Sequence, residues 1–238
     1  MTNPDHTFLQ TLVAHIVSVA RAHGDKAPSE RELAEHFNVS RGQVRESLAI
    51  LEAMKVIERR AKSGIYLTPD VVGPESMALF AKAGVPLNPR HIFEAVELRK
   101  IHEIKAAELA ALRALPENFD RLRDILARSE LQIAEGDGLY GLDMEFHLEI
   151  VRATQNDLFY RTCANFYEAS KHRLPLYFAK PERNVKSHAE HLQIFDALYR
   201  RDSILSQALM NAHLGGVQSY WTEILDGDSS APDRSAGP

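Results

Sequence analysis

The sequence predicts a mainly α-helical protein of two domains, an N-terminal winged helix-turn-helix followed by a C-terminal all-α antiparallel bundle of six or seven helices. Three observations lead there. Two serine-headed capping sequences stand a short turn apart within residues 29–43. Two short β-prone runs follow between residues 56 and 67. From residue 75 onward the apolar residues recur at helical spacing, broken only by Pro, Gly, Asn and one Arg-Asp pair. A chain of 238 residues is long enough to bury two separate cores.

The first helix is expected over residues 8–20, where Phe8, Leu12, Val13, Ile16, Val17 and Ala20 share one face and His23-Gly24 ends the pattern. Ser29-Glu30-Arg31-Glu32 reads as a capping box: the serine oxygen accepts the third helical amide and Glu32 reaches back to the serine N–H. The second helix starts there and buries Leu33, Ala34 and Phe37. After the Asn38-Val39 turn, Ser40-Arg41-Gly42-Gln43 repeats the capping pattern and opens a third helix that runs to about Met54. Val56–Arg60 and Ile65–Leu67, joined through Lys62-Ser63-Gly64, are the two strands of a wing. These elements form a first domain over residues 1–68, with a turn-rich linker at 69–74. Helical segments are expected at 75–84, 89–114, 116–135, 138–154, 157–178, 182–200 and 202–224, making a second domain of 75–226. A Ser-, Asp-, Pro- and Gly-rich tail at 227–238 is expected to be disordered.

Composition narrows the function. The formal charge of −5 argues against wholesale polyanion binding, but it hides an asymmetry. Residues 41–62 hold six Lys/Arg against three Asp/Glu. No run of about 18 apolar residues occurs and the first thirty residues lack a signal-peptide core, so a soluble cytoplasmic protein without a membrane partner is expected. Cys163 stands alone in a helical stretch, where a packed side chain is more common than a nucleophile.

Helix, short turn, helix is the motif that lays its second helix in the DNA major groove. Arg41 and Arg45 lie one turn apart at the start of that helix, where guanidiniums bond guanine edges or phosphates, and Gln43 belongs to the same turn. Arg31, Ser40 and the wing tip from Lys62 to Gly64 are placed for backbone phosphates. The segment Pro28-Ser-Glu-Arg-Glu-Leu-Ala-Glu-His-Phe-Asn-Val-Ser-Arg-Gly-Gln-Val-Arg-Glu-Ser-Leu48, together with Ser63-Gly-Ile-Tyr-Leu67, resembles the N-terminal domain of GntR-family regulators. The resemblance implies a dimer on palindromic double-stranded operators, with Arg31, Arg41 and Arg45 matching the family's DNA-contacting arginines.

In the second domain Asp143 and His147 are one helical turn apart, and His191 and His213 sit at spacing that suits matching depth on adjacent antiparallel helices. Three imidazoles and a carboxylate suit a divalent transition metal, with zinc favoured and nickel, iron, manganese or copper as alternatives. His188, one turn before His191, is a rival ligand by spacing. Each histidine taken singly is more often a surface or satisfied core residue, and the chain has eleven.

The segments Glu97-Leu-Arg99 to Ala110-Ala111, Asp143 to His147, Ala153-Thr-Gln-Asn156, Glu190-His191 to Leu198 and Asn211-Ala-His-Leu214 resemble the FCD effector domain of the FadR-type GntR subfamily. That resemblance implies that Asp143, His147, His191 and His213 hold a metal in the bundle core, whose coordination the carboxylate of a small organic acid completes. It also implies that Arg99 pairs with this carboxylate and that Asn156 lines the same cavity, while His102 replaces a usual aliphatic residue. Glu145 and Glu149 fall on other faces of their helix and are expected to be solvated or paired outside the cavity. No nucleophile or general base stands apart from the ligands. A ligand-responsive regulator is therefore expected, and not a metalloenzyme.

Overall fold

A computed structural model describes residues 4–68, 73–86, 88–170 and 174–229, divided into two compact units. The first takes residues 1–87 and 168–170, the second 88–167 and 171–238. None of the described helices is long and apolar enough to cross a membrane.

In the first unit α1 (Pro4–Ala22) buries Leu12, Val13, Ile16, Val17 and Ala20 on one stripe. Helix α2 (Glu30–Phe37) begins with the full capping box: Glu32 N donates to Ser29 Oγ at 3.3 Å, and Ser29 N donates to Glu32 Oε2 at 2.8 Å. Asn38 ends it in the left-handed region at φ 52°, a conformation Asn tolerates better than most side chains. Helix α3 (Arg41–Ala53) starts on Ser40, whose Oγ accepts from Gln43 N at 3.2 Å. The reciprocal bond from the Gln43 side chain, expected from the second capping pattern, is absent among the described residues. Val44, Leu48 and Leu51 dock α3 into the common core.

Strands β1 (Ile57–Arg60) and β2 (Gly64–Leu67) pair antiparallel with Ile57 opposite Leu67 and Arg60 opposite Gly64. The hairpin turns through Lys62 at φ 59° and Gly64 at φ 125°; the latter is open to glycine and strained for other residues. Ile57, Ile65 and Leu67 face the core, so the opposite face and the tip carry the polar residues.

Helix α4 (Pro74–Lys82) also belongs to this unit. It buries Leu79 and Phe80 in the same cluster as α1, and Ser76 Oγ donates to the Met54 carbonyl at the end of α3 at 2.8 Å. Sequence periodicity places residues 75–84 with the second domain, but periodicity cannot say which core a helix joins. Of the expected linker 69–74, residues 69–72 lie outside the described residues.

The described elements of the second unit are all helices: α5 (Pro89–Arg113), α6 (Pro116–Glu135), α7 (Tyr140–Arg152), α8 (Asp157–Ser170, of which residues 157–167 fall in this unit), α9 (Leu174–Tyr177), α10 (Pro181–Tyr199) and α11 (Ser203–Ser229). The single helix expected over 157–178 is described as α8 and the short α9, with residues 171–173 outside the description. Helix α5 packs against α7, α10 and α11. Its fully buried Ala106, Ala107, Ala110 and Ala111 are small enough to let neighbouring backbones approach closely. Arg201, at φ 61°, donates to the Ala111 and Ala114 carbonyls at 3.3 and 2.7 Å, closing the end of α5 whose carbonyls have no helical partner. Helix α11 continues to Ser229, so the expected disordered tail begins inside a helical backbone and residues 230–238 lie outside the description.

Candidate nucleic-acid interface and metal centre

On the first unit Arg41 and Arg45 are exposed on the first turns of α3, and Gln43 between them is half-buried. Arg41 has no ion-pair partner among the described residues. Arg45 is engaged: its Nε and Nη2 donate to Glu30 Oε2 at 3.3 and 3.1 Å. Arg31 is exposed and 3.9 Å from Glu35, a weak surface contact. Ser40 is exposed; because its oxygen accepts from Gln43, its hydroxyl proton remains to be donated elsewhere. Lys62 and Gly64 sit exposed at the wing tip. Behind them Arg60 lies over the Tyr66 ring at 4.1 Å, and Tyr66 Oη is 2.8 Å from Ser63 Oγ. The sequence-predicted contacts therefore lie on the start of α2 (Arg31), on α3 and its cap (Ser40, Arg41, Gln43, Arg45) and on the wing (Lys62, Gly64). A groove of about 910 Å³ in the same unit is lined by His15, His36, Lys26, Arg59, Arg60 and Lys62. Glu30 and Glu32 line it as well, and none of Asp143, His147, His191 and His213 does.

In the second unit the four predicted ligands come together. Helix α7 supplies Asp143 and His147 from one face, α10 supplies His191 and α11 supplies His213, and all four are buried. One donor atom from each lies within 4.8 Å of the others. His213 Nε2 stands 3.1 Å from His147 Nε2 and 3.3 Å from His191 Nε2. Asp143 Oδ1 is 3.6 Å from His147 Nε2 and 3.4 Å from His191 Nε2.

The outer nitrogens show why these atoms suit a cation. His147 Nδ1 faces Glu103 Oε2 at 2.5 Å, and His213 Nδ1 faces Glu190 Oε2 at 2.7 Å. Where a carboxylate accepts from Nδ1, as Glu190 does from His213, the neutral imidazole turns its Nε2 lone pair toward the cluster; Glu103 lies against His147 Nδ1 without an aligned hydrogen bond and favours the same placement of charge. Lone pairs at such distances repel unless a proton or a cation lies among them. With three imidazoles and one carboxylate, the donor set fits a divalent transition metal.

The electrostatics of the bare cluster agree. Burial disfavours the charged form of His147, but the Glu103 and Asp143 carboxylates outweigh it and hold the imidazole up at about 9. Burial drives His191 the other way, down to about 3, with His213 and His147 adding repulsion. Asp143 is desolvated, yet the histidines keep it well below the ordinary carboxylate range.

Arg99, on α5, borders the ligands: its side chain is 11% exposed, its Nη2 is 4.0 Å from Asp143 Oδ2, and its Nε donates to Glu103 Oε1 at 2.6 Å. Tyr167 Oη donates to the same Glu103 oxygen at 2.5 Å and accepts from Arg99 Nη2 at 3.0 Å. Asn156 is not brought to this arrangement. It is exposed, and its Oδ1 accepts from Phe159 N at 3.0 Å, capping the first turn of α8. His188 is outside the ligand group, and His102 packs edge-on against Phe159 and Phe166, each at 5.6 Å. Glu145 pairs with Arg128 on the surface; Glu149 is buried but bonded by Asn118 and Arg121, away from the cluster. The Cys163 thiol is buried and pushed up to about 12, first by burial and then by Glu103.

Glu103, Glu190, Tyr167 and Ser187, whose Oγ donates to Asp143 Oδ1 at 3.3 Å, were not singled out from the sequence. Glu103 had a signal, since it lies one turn after Arg99. Glu190 had none, because adjacency to His191 gives no hint that it serves His213.

Comparison with known proteins agrees with both units. The family described as "Bacterial regulatory proteins, gntR family" matches residues 7–67, and the FCD domain matches residues 94–216. The chain is 30% identical over 209 residues to the Uxu operon regulator of Haemophilus influenzae, covering 85% of this chain and 76% of that one. It is 31% identical over 211 residues to the HTH-type transcriptional regulator LutR of Bacillus subtilis, covering 86% and 93%. Among solved structures, Lar of Listeria monocytogenes aligns with TM-score 0.67 at 16% identity over 94% of this chain and 99% of that one. E. coli McbR/YncC aligns with TM-score 0.56 at 15% identity over 94% and 99%. At such identities these two likenesses show the fold alone. From the winged head, the helical bundle and these relatives together, the chain belongs to the GntR family of DNA-binding transcription regulators, in the FadR subfamily with a C-terminal FCD domain, and is not an enzyme.

Proposed function

We propose that this regulator is a cytoplasmic homodimer that binds a palindromic double-stranded operator, with its affinity set by a small organic acid bound in the FCD domain. Asp143, His147, His191 and His213 would hold a divalent transition metal, with zinc favoured. Bound there, the ion supplies a Lewis-acidic charge that takes one carboxylate of the acid. The observation that carries the reading is Arg99: a guanidinium 11% exposed and 4.0 Å from the ligand Asp143, beside four converging buried donors. An arginine in that position adds a charge-assisted and orienting bond to a carboxylate.

On the DNA side, Arg41, Gln43 and Arg45 are assigned to the major groove, and Arg31, Ser40, Lys62 and Gly64 to phosphates. To act as a switch, the acid must bind one arrangement of the two DNA-binding heads more tightly than another. The test is calorimetry of the zinc-loaded protein against a panel of organic acids, followed by operator titration with and without the best binder. Arg99→Ala is expected to keep metal and operator affinity but lose the response. An Arg99→Ala protein that responds like the parent sinks the carboxylate-anchor assignment.

A further inference from the structure

The arginine assigned to base reading is already occupied in the DNA-free head. One oxygen of Glu30 accepts both Arg45 Nε and Nη2, at 3.3 and 3.1 Å. The other oxygen is 3.5 Å from Arg59 Nη1. Arg59 reaches in from β1, with its Nε 3.3 Å from Glu52 Oε2 and its Nη2 donating to the Arg45 carbonyl at 3.5 Å. A single carboxylate at the first residue of α2 therefore joins the recognition helix to the wing. Glu30 is the sheltered member, 27% exposed, whereas Arg45 is 64% exposed. Removing Glu30 frees Arg45 to swing, while removing Arg45 leaves Glu30 in place.

An unpaired arginine on a DNA-facing helix bonds any phosphate, and phosphate contacts carry no sequence information. Sequence is read only when the guanidinium is delivered to a base edge. A carboxylate at the N-terminus of α2 also suits the helix dipole, and it repels a phosphate that would otherwise settle there.

We propose that Glu30 is a positioning residue for DNA specificity: it binds Arg45 and Arg59 together, withholds both from indiscriminate phosphate contact, and presents Arg45 in one direction to a base. This rests on the assignment of Arg45 as a base reader, and the experiment separates the two.

The full-length protein is titrated, over about 50 to 200 mM salt, against a duplex that the parent selects from a random-sequence pool and against a random duplex of equal length. Glu30→Gln keeps the shape and removes the charge. Its non-specific affinity is expected to rise and its non-specific salt slope to steepen by about one to two, since each added phosphate contact contributes about 0.9. The ratio of specific to non-specific affinity is expected to fall, and by roughly 3- to 10-fold more at 50 than at 200 mM salt, the effect of one or two gained phosphate contacts over this range. Glu30→Asp, too short to span both arginines, is expected to lower the ratio as well. Glu46→Gln makes the same charge change on the neighbour of Arg45, with no ion pair among the described residues, and is expected to move both DNAs equally. Glu30 variants that behave like Glu46→Gln overturn the proposal. On an Arg45→Ala background the Glu30→Gln effect should shrink, because the two act through one contact; full additivity also overturns it. Operator affinity unchanged by Arg45→Ala alone removes the base-reading assignment and the positioning role with it.

Discussion

Glu103→Gln separates the contribution of the carboxylate behind His147 from that of the metal ligands themselves. Glu103 is 2% exposed and makes three close contacts, with His147 Nδ1 at 2.5 Å, Arg99 Nε at 2.6 Å and Tyr167 Oη at 2.5 Å. Glutamine fills the same space, so packing is preserved while the charge is lost. Loss of such an outer partner of a metal-ligating histidine costs about 10- to 100-fold in metal affinity, or about 1.4–2.7 kcal/mol. A second loss is independent of metal: Arg99 keeps its charge, with Asp143 at 4.0 Å as its remaining carboxylate. Breaking a buried ion pair by removing one partner costs about 3–5 kcal/mol. At about 2–4 °C per kcal/mol in a chain of this size, the metal-free protein should melt roughly 6–20 °C lower. Glu190→Gln is the comparison, since Glu190 is 29% exposed and water can take over its bond to His213 Nδ1. Competition with a chromophoric chelator measures zinc affinity, and thermal denaturation after chelation measures stability. Parent zinc affinity in Glu103→Gln, or an equal or larger loss in Glu190→Gln, would refute the reasoning that burial makes Glu103 the stronger support.

Three other outcomes are expected. His191→Ala should reduce metal per chain in elemental analysis and leave operator binding by the metal-free protein unchanged, because all four ligands lie in the second unit; full stoichiometry removes His191 from the ligand set. Arg45→Ala should weaken operator binding by about 1–3 kcal/mol with little change on random DNA, whereas Arg31→Ala should weaken both and flatten the salt dependence by about 0.9; gel-shift titrations that fail to separate the two variants would show that they share a role. Because the surrounding carboxylates hold bare His147 up at about 9, it is protonated at neutral pH and must lose that proton to ligate. Zinc uptake near pH 7 should therefore release about one proton from this site, and apparent affinity should rise with pH toward about 9; calorimetry in buffers of different ionisation enthalpy checks the proton count.

The elements with local causes were legible in the sequence. Ser29, Ser40, Pro116 and Gly136 mark helix ends where the structure has them, because caps and breakers act within one turn. The buried Asp143, His147, His191 and His213 cluster was legible because helical spacing puts Asp143 and His147 on one face and because the segments around all four residues resemble an FCD domain; spacing alone left His188 as a rival. The remainder depended on tertiary partners. The core joined by α4 is decided by Leu79, Phe80 and Ser76 meeting α1 and α3, which periodicity does not encode. Asn156 lies within a segment that resembles an effector domain, yet its side chain is spent on the α8 cap, a local bond that any helix-initiating Asn favours. Glu30 reads as an ordinary acidic first-turn residue until Arg45 and Arg59, fifteen and twenty-nine residues later, close on it.

The two arginine–glutamate pairs use one chemistry under different solvation. The Glu30–Arg45 pair is largely in water, where an exposed ion pair is worth little, so a base edge bonded by both guanidinium nitrogens can replace it, while a lone phosphate gains no more than it gives up. The Arg99–Glu103 pair is buried, so an incoming acid cannot displace Glu103 without leaving an uncompensated charge. It has no need to do so. A guanidinium has five N–H donors, and the bonds made among the described residues use Nε–H on Glu103 and one Nη2–H on Tyr167. The remaining N–H groups include Nη2–H, on the nitrogen nearest Asp143, so the arginine can keep Glu103 and accept a carboxylate at the same time. Under the proposed function, burial would make Arg99 a fixed anchor, and exposure would make Arg45 an exchangeable one. A rigid anchor suits the reading of a small ligand's carboxylate; an exchangeable one suits the reading of a duplex by a protein that must first release the wrong sequences.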